Sequence, residues 1–138
     1  MINEELIQML ATATRAARAA TTTPRLAALQ ASLNQACRIP AGLWWDRKAA
    51  AHAEFFNALA DAADPCAALV LNYAAGFVYD LMITAGRAAD GMTIDSRRHV
   101  LAHLSAADLD GAALEMERHL RILSVMSRRA ATRTHSAA

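Results

Sequence analysis

The residues of this chain that could do chemistry are few and sit at helical spacings. His52, Phe56, Leu59 and Ala63 recur at i, i+4, i+7 and i+11 within AAHAEFFNALADAADP, which puts one imidazole on the inward stripe of an otherwise apolar helix. That stripe is a candidate wall of a binding cavity; the bland alternative is an ordinary satisfied core histidine. His119 joins Leu109, Ala112, Ala113, Met116, Leu120 and Leu123 on a second stripe near the end of the chain. Asn72, Gly76, Asp80 and Thr84 follow one another in steps of four. They draw a polar line along a helix that is otherwise apolar all round, as expected of a central buried helix facing a wet cavity or a partner. His99 and His103 have the i, i+4 spacing at which a helix offers two imidazoles to one zinc. The inward face of their helix is set by Arg97, Leu101 and Leu104, so His99 lies about 200° round from it and both are read as surface histidines. No nucleophile paired with a base, no carboxylate pair and no phosphate-binding glycine loop occurs in the sequence.

Six helices must position these groups. The first spans 3 to 20, with Leu6, Ile7, Leu10, Ala13, Ala17 and Ala20 on one side, acids in the first turn and Arg15 and Arg18 late, each complementing the helix dipole. Thr21 to Thr23 and Pro24 break and restart the chain, with Thr23 as N-cap and Pro24 at the first helical position. The second helix runs to about Arg38 and buries Leu26, Leu29, Leu33 and Cys37. Pro40 and Gly42 end it, Trp44 and Trp45 seal the core edge, and Asp46 caps the helix that carries His52. Asp64 and Pro65 repeat the cap-plus-proline signal and open an apolar segment from Cys66 to about Ala89. Between Cys66 and Gly86 that segment holds a single charge, Asp80; its length suits a membrane span, but the polar line favours a soluble core helix. Asp90-Gly91 ends it, and Thr93 or Asp95 caps a fifth helix from about Ser96 to Ala106. Asp108 caps the last helix; past Met126 the period is lost, and residues 128–138 read as a flexible basic tail. The expectation is an all-α, antiparallel bundle of six or seven helices forming one domain over 1–127.

Totals agree with this reading. The chain has 138 residues, of which 55% are hydrophobic, with five glycines and three prolines, a balance that favours helix and few turns. A net charge of +1 gives no field to draw in nucleic acid. Two cysteines outside any CxxC arrangement suit a reducing compartment. Asn3, Glu4 and Glu5 stand where a secretory signal needs basic residues, so the expected location is the cytoplasm.

Three stretches resemble the FCD domain, the C-terminal effector-binding and dimerisation domain of GntR-type bacterial transcription regulators. Phe55 to Leu59 with Ala62 to Pro65 is similar to that family's FHxxL…NP segment. Arg97 through Asp108, with Leu101 and Leu104, is similar to its EHxxIL…GD segment, and Leu114 to Leu120 to its M..HL ending. The resemblance implies a divalent metal such as zinc, held by one aspartate and three histidines and helping to bind a small carboxylate. On this chain the aspartate position is His52, the first histidine is Phe56, the second is Arg97, and only His119 is retained. A permanently charged guanidinium opposes a cation. The expectation is therefore no metal; were one present, His52 and His119 would be its ligands.

What the resemblance then implies is a metal-free pocket in which Arg97 forks onto a carboxylate, flanked by His52, Phe56 and His119 and reached by Asn72 and Asp80. The competing reading pairs Arg97 with an internal acid such as Asp80, leaving the histidines as core filler. The expected function is effector sensing and dimerisation without chemistry: a homodimer joined through the exposed side of the first and fourth helices, taking a small carboxylate, with no direct DNA binding and no membrane. A winged-helix DNA-binding domain would precede such a bundle, and none is expected within this chain. A small metal-dependent helical enzyme and a plain structural module are the alternatives.

Overall fold

The computed structural model describes residues 4–137, with side chains to Arg133. Asn3 and Ala138, end points of the first helix and the tail as read from sequence, lie outside it. Among the described residues there are six α-helices and no strand. They are α1 (Glu4–Arg15), α2 (Thr23–Arg38), α3 (Trp45–Ala60), α4 (Pro65–Ala85), α5 (Asp90–Ser105) and α6 (Leu109–Ala137). The all-α bundle read from the sequence is the fold observed. Helix α3 packs on α2 and α4, α1 on α4 and α6, and α5 on α2 and α6. The core is built from Leu10, Leu29, Phe55, Phe56, Leu59, Leu71, Met82, Leu104, Met116, Leu120 and Leu123, all withdrawn from water.

Helix α1 stops at Arg15, five residues short of the expected end. Ala17 leaves helical geometry (φ −79°, ψ 60°), and Arg18–Thr21 form a 3-10 turn. The Ala19 N–H donates to the Ala62 carbonyl at 3.2 Å, and Ala17 and Ala20 are fully buried. A bond to the α3–α4 connection and the burial of two methyls outweigh the helix propensity of the alanines. The α2 cap is Thr22, not Thr23, and its hydroxyl donates back to the Ala19 carbonyl at 2.6 Å instead of capping. In α2, Leu29, Leu33 and Ala36 face inward, Leu26 is half-buried, and Cys37 is exposed, contrary to the sequence reading.

Helix α3 begins at Trp45, so Asp46 lies in its first turn and does not cap it. Only one tryptophan seals the core: Trp45 donates its indole N–H to the Met82 carbonyl at 3.1 Å, while Trp44 points outward beneath the Arg47 guanidinium. Two adjacent residues on a helix cannot share a face. The start of α4 is as expected, with the Asp64 carboxylate accepting from the Cys66 and Ala67 N–H groups at 3.0 Å each.

Its end is not. Gly86, at φ 80°, terminates α4 in the left-handed conformation glycine tolerates, and a 3-10 turn over Arg87–Ala89 leads into α5. Asp90 and Gly91 therefore open α5, six residues before the expected start at Ser96. Asp108 caps the last helix, accepting from the Gly111 N–H at 2.8 Å. That helix continues to Ala137, through the segment expected to fray; Ser124 and Ser127 are still buried, and Arg128 to Ala137 carries on with alanine-rich helical sequence.

Candidate functional site

Four of the six expected site residues converge where α3, α5 and α6 meet. His52 and Phe56, one turn apart on α3, face Arg97 on α5 and His119 on α6, each at most 1% exposed. Among the described residues Arg97 is the largest fully buried side chain. Its guanidinium carbon lies 5.0 Å from the Phe55 ring centre and 5.1 Å from that of Phe56, so two aromatic faces lend it their negative quadrupoles. Its Nη1 donates to His119 Nδ1 at 3.4 Å and to Met116 Sδ at 3.8 Å. Among the described residues its Nε and Nη2 have no partner, and no carboxylate lies within ion-pair distance of it.

The tautomers follow from these contacts. Arginine only donates, so His119 Nδ1 accepts and Nε2–H donates to Thr93 Oγ1 at 3.1 Å. His52 Nε2–H donates to Asp90 Oδ1 at 2.8 Å, which leaves His52 Nδ1 a lone-pair acceptor, buried and without a partner among the described residues. Asp90 also meets Lys48 Nζ at 3.5 Å through its other oxygen; Lys48 is buried and donates in addition to the Ile39 carbonyl at 2.7 Å.

Burial sets the protonation of the cluster. It pushes His52 down to about 4 despite the Asp90 hydrogen bond, with the charge on Arg97 adding to the effect. His119 is pushed well below the ordinary imidazole value by burial, then by Arg97. Arg97 itself is lowered to about 10 by burial, partly countered by the charge of Glu115, and remains a cation at neutral pH. Glu115 is held by Arg118 at 2.8 Å and by the Ser96 hydroxyl at 2.7 Å.

The other two expected residues are elsewhere. Asn72 is exposed, beside an outer hollow bordered by Ser32, Glu54 and Asn57. Asp80 is exposed on the opposite stretch of α4, near Thr84, Ser124 and Arg128. The polar line of α4 thus faces outward, and the buried face is Ala67, Leu71, Ala74, Val78, Leu81, Met82 and Ala85. The line marks the solvent side because neighbouring helices cover the opposite one. Asp80 cannot pair with Arg97, and α4 is not the enclosed central helix read from its composition: it is apolar and long enough to cross a membrane, with 28% of its most apolar window buried.

Sequence reading missed Lys48, Phe55, Asp90, Thr93 and Met116. Lys48 precedes His52, and Thr93 precedes Arg97, by four residues, a spacing that places the members of each pair on one helix face; in the sequence, Asp90 and Thr93 read as helix-terminal residues instead. His99 and His103 lie at the surface, His103 Nδ1 sitting 3.0 Å from Asp108 Oδ2.

A metal does not fit the position the resemblance implies. Among the described residues no three His, Cys, Asp or Glu side chains converge at ligand spacing, and Arg97 stands against His119. A groove of about 660 Å³ runs between α1 and α4, apart from this cluster, lined by Gln8, Met9, Ala13, Ala16, Ala67 and Val70. Searches against protein-family models, curated proteins and solved structures find no match to this chain.

Proposed function

We propose that this bundle is an effector-sensing and dimerisation domain of the kind its resemblance to the FCD domain implies, taking a small organic anion at Arg97 without a metal. One observation carries the reading: a fully buried guanidinium whose Nε and Nη2 have no hydrogen-bond partner among the described residues. These two nitrogens share one edge of the planar group, with N–H bonds that run nearly parallel, the edge a carboxylate engages through both oxygens. An unpaired charge in an apolar interior is costly by several kcal/mol, so a ligand that pairs it gains differential affinity for the folded domain.

The cluster is packed, its four side chains each at most 1% exposed. Ligand entry accordingly needs α5 to part from α3, and the anion stabilises the parted state. Sensing is then a shift of population between two packings of the same helices. Dimerisation is the second half of the proposal. Met9, Leu69, Tyr73 and Ile83 are 53%, 72%, 68% and 40% exposed on α1 and α4, an apolar surface that a second copy would cover.

A thermal-shift screen of small carboxylates against the wild type and Arg97→Met tests the site. A ligand at a hundred times its dissociation constant adds about 2.7 kcal/mol to stability; the expected result is a shift in the wild type and none in the variant. Equal shifts in both, or none in either, would sink the proposal. Sedimentation of Leu69→Glu tests the surface: the wild type should run as a dimer and the variant as a monomer. A wild-type monomer, or one that floats with lipid vesicles, removes dimerisation from the reading.

A further inference from the structure

We infer that the anion is a short hydroxycarboxylate, its carboxylate on the free edge of Arg97 and its hydroxyl donating to His52 Nδ1. This rests on the effector-site reading above and narrows it. Three buried atoms at the junction of α3, α5 and α6 are left unmatched: two donors on Arg97 and one acceptor on His52. They belong to one cluster, since Phe56, one turn beyond His52, lies against the Arg97 guanidinium, and the charge of Arg97 is felt at His52. A ligand that satisfies all three presents two acceptor oxygens side by side and one donor close by.

The polarity of the third contact is fixed by Asp90. Its carboxylate takes the Nε2 proton of His52 and divides its own charge between that imidazole and Lys48. Lys48 faces the carboxylate of Asp90, while Glu115, the acid whose charge reaches Arg97, is itself engaged by Arg118. Protonating His52 would add a third cation to an interior already short of negative charge, so the ring stays neutral and Nδ1 stays an acceptor.

Ligand classes separate on this geometry. One negative charge balances the cluster, which favours a monoanion over a dicarboxylate. A keto acid sets a carbonyl lone pair against the lone pair of Nδ1. An amino acid offers a donor but carries an ammonium into a site with two cations. An unsubstituted acid engages Arg97 and leaves Nδ1 unmatched, forfeiting one hydrogen bond to a buried group. Asp90 and Lys48 act as positioning residues: they hold the tautomer and do not touch the ligand.

Calorimetric titration of the purified domain with lactate, propionate, pyruvate and alanine provides the test. Lactate should bind at least 10-fold more tightly than propionate, with pyruvate weaker still and alanine silent. Asp90→Asn, whose amide can donate to Nε2 and push the proton to Nδ1, should shrink or reverse the lactate-over-pyruvate ratio, a change that simple loss of packing would not produce. Should that variant fail to fold, the ¹⁵N shifts of His52 in the wild type give the tautomer directly, with Nε2 protonated and Nδ1 bare at pH 7. Propionate binding as tightly as lactate, or a protonated Nδ1, overturns this inference and leaves the effector site standing. No binding by any of the four overturns both.

Discussion

Two arginines on adjacent helices have opposite circumstances. Arg121 on α6 is partly exposed and has two carboxylates, Glu4 from α1 and Glu117 one turn back on its own helix. Arg97 on α5 is out of reach of water and, among the described residues, has no carboxylate within ion-pair distance. If ion pairs were placed where they matter most for stability, the arrangement would be reversed, because water already solvates Arg121 and screens its partners. The outer seam between α1 and α6 is electrostatically finished. The junction of α3, α5 and α6 holds a cation met by two aromatic faces and an imidazole, with no carboxylate among the described residues within ion-pair distance.

Substitutions can break or sharpen that contrast. The largest effect is expected from Phe56→Ala, which empties a fully buried position and removes an aromatic face from Arg97. Urea denaturation should show a loss of about 3–5 kcal/mol. Arg97→Met should act in the opposite direction. An apolar chain of similar length removes an unpaired buried cation, and replacements of this type stabilise by about 1–4 kcal/mol. A less stable Arg97→Met protein would mean that the guanidinium is already satisfied, and the contrast with Arg121 would collapse.

Acid offers a third test. Burial depresses both His52 and His119, so between about pH 6.5 and 4 the denatured chain takes up protons that the folded chain refuses. The stability they confer is complete above that window and falls as the pH drops through it, by at most about 1.4 kcal/mol per pH unit for each histidine. Glu4, Asp108 and Glu115, also held below their ordinary values, act in the same direction only below about pH 4.5. Denaturation midpoints that do not change between pH 7 and 5 would show the imidazoles free to ionise. Asp64→Ala, which removes the α4 cap, should cost about 1 kcal/mol. Arg121→Ala is expected to leave the midpoint where it is in moderate salt, since its pairs lie in water.

Much of the fold was legible because its signals are local. Asp64-Pro65 and Asp108 announce helix starts through groups two or three residues away, and the apolar periods of α3 and α6 put His52, Phe56 and His119 inside. Gly86 and Asp90-Gly91 both look like helix ends in the sequence, and which glycine adopts positive φ depends on where the following segment must go. The junction of Thr93 with His119 was hidden because a threonine near a helix start reads as a cap.

The sequence by itself determined the helical class, the starts of α4 and α6 and the apolar stripes of α3 and α6, all set by interactions within a few residues. Only the tertiary structure decided which side of α4 is covered, that Asp80 lies in the open, that Asp90 closes on His52 from 38 residues away, and that no carboxylate among the described residues comes within ion-pair distance of Arg97. The physical reason is one of range. A period of 3.6 residues orients side chains about a helix's own axis, whereas burial and charge pairing depend on which other helix stands opposite.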